Sequence, residues 1–132
     1  MEILITGVAG FIGYKVAERL LKKGDLVIGI DNINDYYDPK LKYWRLEQLN
    51  AYKNFVFYKG DIADFSFLLN LSKKHSFDAV INLAARAGVR ASVRDPWIYL
   101  ETNTKGTLNL LELCKQTGVK KFILSSTSSI YS

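Results

Sequence analysis

Three glycines spaced three residues apart, Gly7, Gly10 and Gly13, follow directly on the apolar run Ile3-Leu4-Ile5 and open a segment with helical punctuation. A buried strand that turns at once into a helix needs each of them for a different reason. Gly7 permits the tight turn, Gly10 lets a ligand approach the backbone, and Gly13 lets the helix pack close on the strand. The helix start presents unpaired N–H groups and the positive end of its dipole, a setting that suits a diphosphate. Strand, glycine spacing and helix agree, which predicts a dinucleotide site rather than a ligand-free turn.

The rest of the chain repeats this alternation. Continuous apolar runs recur at Leu26 to Ile30, Phe55 to Tyr58, Ala79 to Leu83 and Phe122 to Leu124. Continuous rather than alternating runs suit strands buried on both faces, as in a parallel sheet. Helical segments lie between them. Phe11 to Lys23 is closed by Gly24 after two lysines. A second starts at Asp38-Pro39, an N-cap followed by proline at the first helical position. A third runs from Asp64 to about Lys74, and a fourth from Asp95-Pro96 to near Gly118. The pattern predicts an α/β fold with right-handed crossovers, a Rossmann-type doubly wound parallel sheet of strand order 3-2-1-4-5. Its site lies at the carboxyl ends of strands one and four. No linker, repeat or low-complexity stretch divides residues 1–132, which read as one dinucleotide-binding domain or part of one.

The second strand ends at Ile30-Asp31-Asn32, and Asp31 follows Gly13 by 18 residues. An acid there accepts hydrogen bonds from the adenosine ribose hydroxyls and repels a 2′-phosphate, which favours NAD over NADP.

Composition removes other classes. A chain of 132 residues that is 48% hydrophobic is no disordered tail. One Cys forbids an intrachain disulfide, and one Cys with one His speaks against a metal site. A Ser-His-Asp triad has only His75 to draw on, in Lys73-Lys74-His75. The net charge is +5, but basic residues are scattered in runs of two at most, which reads as a solvated surface rather than a nucleic-acid stripe. No apolar run has the length of a membrane span, and no charged leader precedes a long apolar segment. A reducing, cytoplasmic setting is expected. Cys114, among Leu110, Leu111 and Leu113, reads as a small buried apolar group. His75 reads as a surface or helix-end residue, and Trp97 and Tyr99 as packing groups.

Thr6-Gly7-x-x-Gly10-Phe11-Ile12-Gly13 resembles the signature of extended short-chain dehydrogenase/reductase proteins. The resemblance continues through Asp31-Asn32, Gly60-Asp61-Ile62, Asn82-Leu83-Ala84-Ala85, Asn103-x-x-Gly106-Thr107 and Ser125-Ser126-Thr127, and so covers the whole chain. Within that group it is similar to nucleotide-sugar epimerases, most of all the UDP-glucuronate 4-epimerases. The pointers are Asp31-Asn32-x-Asn34-Asp35-Tyr36-Tyr37-Asp38 and Ala87-Gly88-Val89-Arg90-x-Ser92.

The resemblance implies roles. Gly7, Gly10, Phe11, Ile12 and Gly13 form the cofactor's diphosphate loop. Asp31 and Asn32 meet its adenosine ribose, Asp61 and Ile62 frame the adenine, and Leu83, Ala84 and Ala85 line the nicotinamide-ribose side. Asn103 orders the helix beside the active site. Thr127 matches the catalytic Ser/Thr that hydrogen-bonds the sugar 4-OH, with Ser125 beside the cofactor and Ser126 beside the substrate. Arg90 and Ser92 are candidate substrate contacts, although Arg90 reads equally as a loop cation. NAD takes hydride from sugar C4 and returns it to the other face of a 4-keto intermediate. Two positions depart from the family pattern: Asn82 where many relatives carry His, and Ser132 where Gly is usual.

The family's Tyr-x-x-x-Lys, whose tyrosine is the general base, is expected beyond residue 132, as is the substrate-binding region. Tyr36 and Lys40 have the right spacing, but a helix starting at Asp38-Pro39 leaves Tyr36 outside it, so the two do not stack on one face. The chain alone is therefore expected to be inactive, and its last strand to expose apolar surface for want of a covering helix. Two alternatives stand beside the epimerase. One is a non-catalytic NAD-binding or self-associating module, homodimeric through the fourth helix. The other is a nucleotide-sugar 4,6-dehydratase, against which stand Ser128 and Ser129 where an acid is expected.

Overall fold

The computed structural model describes residues 1–33, 39–84, 97 and 101–125. Its elements alternate as the apolar runs predict: β1 (Glu2–Thr6), α1 (Phe11–Lys23), β2 (Leu26–Asp31), α2 (Pro39–Asn50), β3 (Phe55–Lys59), α3 (Phe65–Lys74) and β4 (Ala79–Asn82). A π-helical turn, Glu101–Lys105, leads into α4 (Gly106–Thr117), and β5 (Lys121–Leu124) follows. The five strands pair in parallel in the order β3-β2-β1-β4-β5.

Alternation along the strands assigns the two faces. Ile3 and Ile5 of β1, with Val27 and Phe55, pack on Tyr14, Ala17 and Leu21 of α1 and on Leu46 and Leu49 of α2. Leu4, Ile28, Ile30 and Val80 point the other way, onto Leu68 and Leu71 of α3 and Leu110, Leu113 and Cys114 of α4. A sheet covered on both faces is the doubly wound arrangement. Leu4, Ile5, Ile28, Ile30 and Val80 are essentially inaccessible, each such side chain contributing about 1.5–3 kcal/mol of burial.

The helix boundaries follow local chemistry. Gly24 closes α1 at φ 104, and its N–H bonds back to the carbonyls of Leu20 and Leu21, as a glycine C-cap requires. Asp64 caps α3, its carboxylate accepting from the Phe67 N–H at 3.2 Å. Pro39 is the first residue of α2, as expected, while its expected N-cap Asp38 lies outside the described residues, as do Asp95 and Pro96. His75 sits at the end of α3, half-buried, between Tyr58 and Glu2. Cys114 is buried.

The outer strands differ from the expectation of burial on both faces. Only Phe55 of β3 is fully buried, and in β5 Ile123 and Leu124 are 56% and 53% exposed. A continuous apolar run marks a strand of a parallel sheet without telling a central strand from an edge. Among the described residues no helix is long and apolar enough to cross a membrane.

Candidate functional site

Pairing of Thr6 with both Ile30 and Asn82 brings the carboxyl ends of β1, β2 and β4 to one edge of the sheet. An open groove lies there, lined by Gly7, Gly10, Ile30, Asp31, Asn32, Lys42, Gly60, Asp61, Ile62, Leu83 and Ala84. This is the crevice beyond the strand ends, where the strand order reverses.

The glycines are demanded by close backbone approach. Gly7 has φ 69, and a Cβ on it would stand 2.7 Å from the Leu83 carbonyl oxygen and 2.8 Å from the Ala84 nitrogen. A Cβ on Gly13 would stand 2.1 Å from the Gly7 carbonyl oxygen. Helix α1 therefore seats directly on the loop. Gly10 is its N-cap, without a side-chain cap, and no acid stands in the first turn. The first intrahelical bond runs from the Tyr14 N–H to the Gly10 carbonyl at 2.9 Å. The N–H groups of Phe11, Ile12 and Gly13 thus precede that ladder at the electropositive start of α1, next to Gly10, which lines the groove.

Asp31 is no solvated loop acid. It is 5% exposed, and its carboxylate accepts from the Ala9 N–H at 3.0 Å and the Ile33 N–H at 2.8 Å. Lys42 Nζ stands 3.4 Å from the same carboxylate. Arg45, one turn further along α2, donates to the Ala9 carbonyl at 2.9 Å. Ala9 is thus held through its N–H by β2 and through its carbonyl by α2, which fixes the glycine loop relative to both.

A second network fixes the opposite wall. Thr6 Oγ1 donates to Asn82 Oδ1 at 2.5 Å and accepts from the Ala84 N–H at 3.2 Å. Asn82 Nδ2 donates to Thr107 Oγ1 at 3.2 Å, and Thr107 Oγ1 donates to the Asn103 carbonyl at 2.7 Å. Asn82 is therefore a buried link between β1, β4 and α4. A Cβ on Gly106 would stand 2.4 Å from Ile62 Cδ1, so α4 packs closely on the groove's Ile62.

Of the residues singled out from the sequence, the groove gathers Gly7, Gly10, Asp31, Asn32, Asp61, Ile62, Leu83 and Ala84. Gly13 is buried behind the loop, and the side chains of Phe11 and Ile12 are exposed. Asn103 is joined to the wall through Thr107, and Ser125, exposed at the end of β5, bonds by its N–H to the Asn82 carbonyl at 3.2 Å. Ala85, Arg90, Ser92, Ser126 and Thr127 lie outside the described residues, as do Tyr36 and Tyr99. Trp97 is exposed, which does not fit the packing role expected of it. Sequence reasoning missed Lys42 of the groove, and it named Ile30 and Gly60 of the groove and Thr6 and Thr107 of its wall within motifs without giving them a role. The Lys42-x-x-Arg45 spacing, which puts both cations on one helix face, was the available signal.

The parallel sheet, its reversal point and the glycine loop define a Rossmann-type dinucleotide-binding class. The sequence profile of the GDP-mannose 4,6 dehydratase family matches residues 4–132, and the chain belongs to that family. It is 59% identical to a UDP-glucuronate 4-epimerase of Thermodesulfobacterium geofontis, over 97% of this chain and 40% of the relative. Against UDP-glucuronate 4-epimerase 4 of Arabidopsis thaliana the identity is 45%, over 99% of this chain and 30% of the relative. Among solved structures it superposes on the UDP-glucuronic acid 4-epimerase of Bacillus cereus, in complex with UDP-glucuronic acid and NAD. The TM-score is 0.86 and the identity 40%, covering 100% of this chain and 42% of that one. The UDP-Glc/GlcNAc 4-epimerase of Campylobacter jejuni matches with a TM-score of 0.87 and 37% identity, over 99% of this chain and 38% of that one. The chain thus spans 30–42% of the length of these relatives.

Proposed function

We propose that this chain forms the NAD-binding part of an epimerase acting at C4 of a UDP-sugar, with UDP-glucuronate as substrate. The groove carries this reading, because a glycine loop, an uncapped helix start and a buried ribose-side acid converge on it at the reversal point. The likeness to UDP-glucuronate 4-epimerases supports the choice of sugar. In this reading Gly7 and Gly10 leave room for the diphosphate, and Phe11, Ile12 and Gly13 contribute backbone N–H groups to it. Asp31 and Asn32 hold the adenosine ribose, and Asp61 and Ile62 flank the adenine. Leu83 and Ala84, continued by Ala85, flank the nicotinamide ribose, with Asn103 and Ser125 ordering that side. When bound, NAD supplies the hydride acceptor for the sugar's C4. Thr127 holds the sugar 4-OH, and Arg90, Ser92 and Ser126 contact the substrate. The family's Tyr-x-x-x-Lys pair has no counterpart in these 132 residues apart from Tyr36 and Lys40, so proton removal from the 4-OH is not assigned to this chain. We place the protein in the cytoplasm as a homodimer, the latter supported by Leu108 and Leu111, which stand exposed on α4.

The test is thermal unfolding of the purified chain with NAD, beside an assay of UDP-glucuronate turnover. Ligand at about 100 times its Kd raises stability by about 2.7 kcal/mol, so a clear upward shift is expected, without turnover. No shift with NAD would contradict the cofactor reading. Turnover by the isolated chain would contradict the assignment of the base elsewhere.

A further inference from the structure

Lys42 has no part in the reading above, yet it lines the groove at the acid that reads the ribose. Its side chain is 14% exposed, and its ammonium stands 3.4 Å from Asp31 Oδ1. It is not a swinging surface lysine. Arg45, three residues on, anchors the same helix face to the glycine loop through the Ala9 carbonyl at 2.9 Å, and the Ala9 N–H is held by Asp31 at 3.0 Å. Helix α2 thus delivers a fixed cation to the carboxylate on the groove side.

That placement changes the electrostatic argument about the cofactor. A lone buried carboxylate repels a 2′-phosphate. An ammonium 3.4 Å from the carboxylate opposes part of that repulsion, since a phosphate a few ångströms away feels both charges and is attracted by the ammonium. We propose that Lys42 is a specificity-determining residue that moderates the exclusion of a 2′-phosphate by Asp31, so that the groove admits NADP more weakly than NAD but measurably. This rests on the reading of the groove as an NAD site. Removing the cation while keeping the acid should then sharpen discrimination, whereas a merely structural lysine would affect both cofactors alike.

The experiment is calorimetric titration of the purified chain, and of its K42M, K42Q and K42R variants, with NAD and with NADP. Thermal unfolding of each variant without ligand establishes that it is folded, and K42Q carries the comparison if K42M does not fold. Loss of one cation a few ångströms from the phosphate, partly screened by solvent, should raise the ratio of NADP to NAD dissociation constants about tenfold in K42M or K42Q. K42R should keep the ratio of the wild type. An unchanged ratio in the neutral variants would overturn the proposal, as would wild-type chain that binds NAD but shows no binding of NADP. Failure of the wild type to bind NAD would instead overturn the reading of the groove itself.

Discussion

Replacing Gly13 by alanine sets two physical effects against each other at one position. Helix propensity alone favours the change, since alanine inside a helix is about 1 kcal/mol better than glycine. The packing opposes it. The new Cβ would stand 2.1 Å from the Gly7 carbonyl oxygen, 2.9 Å from its carbon and 3.0 Å from the Val8 Cα, where ordinary contact begins at 3.4 Å. All three are backbone atoms, so no rotamer change relieves the overlap, and either α1 or the loop must move. Such overpacking costs about 1–3 kcal/mol or more, and the severity of this overlap places it at the upper end. The net is a loss of about 2 kcal/mol, or roughly 5–10 °C in Tm for a domain of this size. Displacing the loop also moves the first-turn N–H groups, so NAD affinity should fall at least about tenfold, a larger loss than the stability change explains. Differential scanning calorimetry and NAD titration of the variant check both parts. A variant as stable as the wild type, or more stable, would refute the close seating of α1 on the loop.

Three further outcomes follow from the networks. Asn82→Ala removes the partner of the Thr6 and Thr107 hydroxyls, and should cost about 1–3 kcal/mol in denaturant unfolding while weakening NAD binding through the Ala84 wall. Tyr58→Phe removes the 2.8 Å bond to His75 Nε2 and should cost about 1 kcal/mol with NAD affinity unchanged, because neither residue lines the groove. Burial pushes the Cys114 thiol above its ordinary value of 9.0, so the folded chain holds that proton more tightly than the unfolded chain does. The contribution is complete below the ordinary value and is lost as pH rises through the folded one, so unfolding midpoints should decline above about pH 9, less steeply in Cys114→Ala.

The central part of the fold was legible because its signals are local. Gly10 and Gly13 answer close backbone approaches within the loop itself, and Gly7 adopts the left-handed turn although the backbone it meets belongs to distant Leu83 and Ala84. Gly24, Asp64 and Pro39 mark helix ends by their own conformational and hydrogen-bonding limits. Asp31 was legible as an acid at the end of β2. Its burial was not, since that depends on Ala9 and Lys42 arriving from other elements. Lys42 escaped notice because its role is decided by how α2 docks on the loop, and α2 presents no strongly one-sided apolar stripe: Leu41, Tyr43 and Trp44 all remain exposed. The exposure of Ile123 and Leu124 in β5 runs against the burial that its apolar run implied, because β5 pairs with β4 alone and stands at the edge of the sheet. Thr6 and Thr107 stood in the motifs without a role, because the role comes from Asn82, which joins them across 76 and 25 positions of sequence respectively.

Hydrogen–deuterium exchange of the purified chain with and without NAD tests the central claim most directly, because it reports where the cofactor sits as well as whether it binds. Slower exchange is expected at residues 7–13, 30–33, 60–62 and 83–84, with little change in the part of α3 and its following turn around Lys73 and His75. Unchanged exchange at the glycine loop in the presence of saturating NAD, or protection confined to the far end of the sheet, would contradict the assignment of the groove.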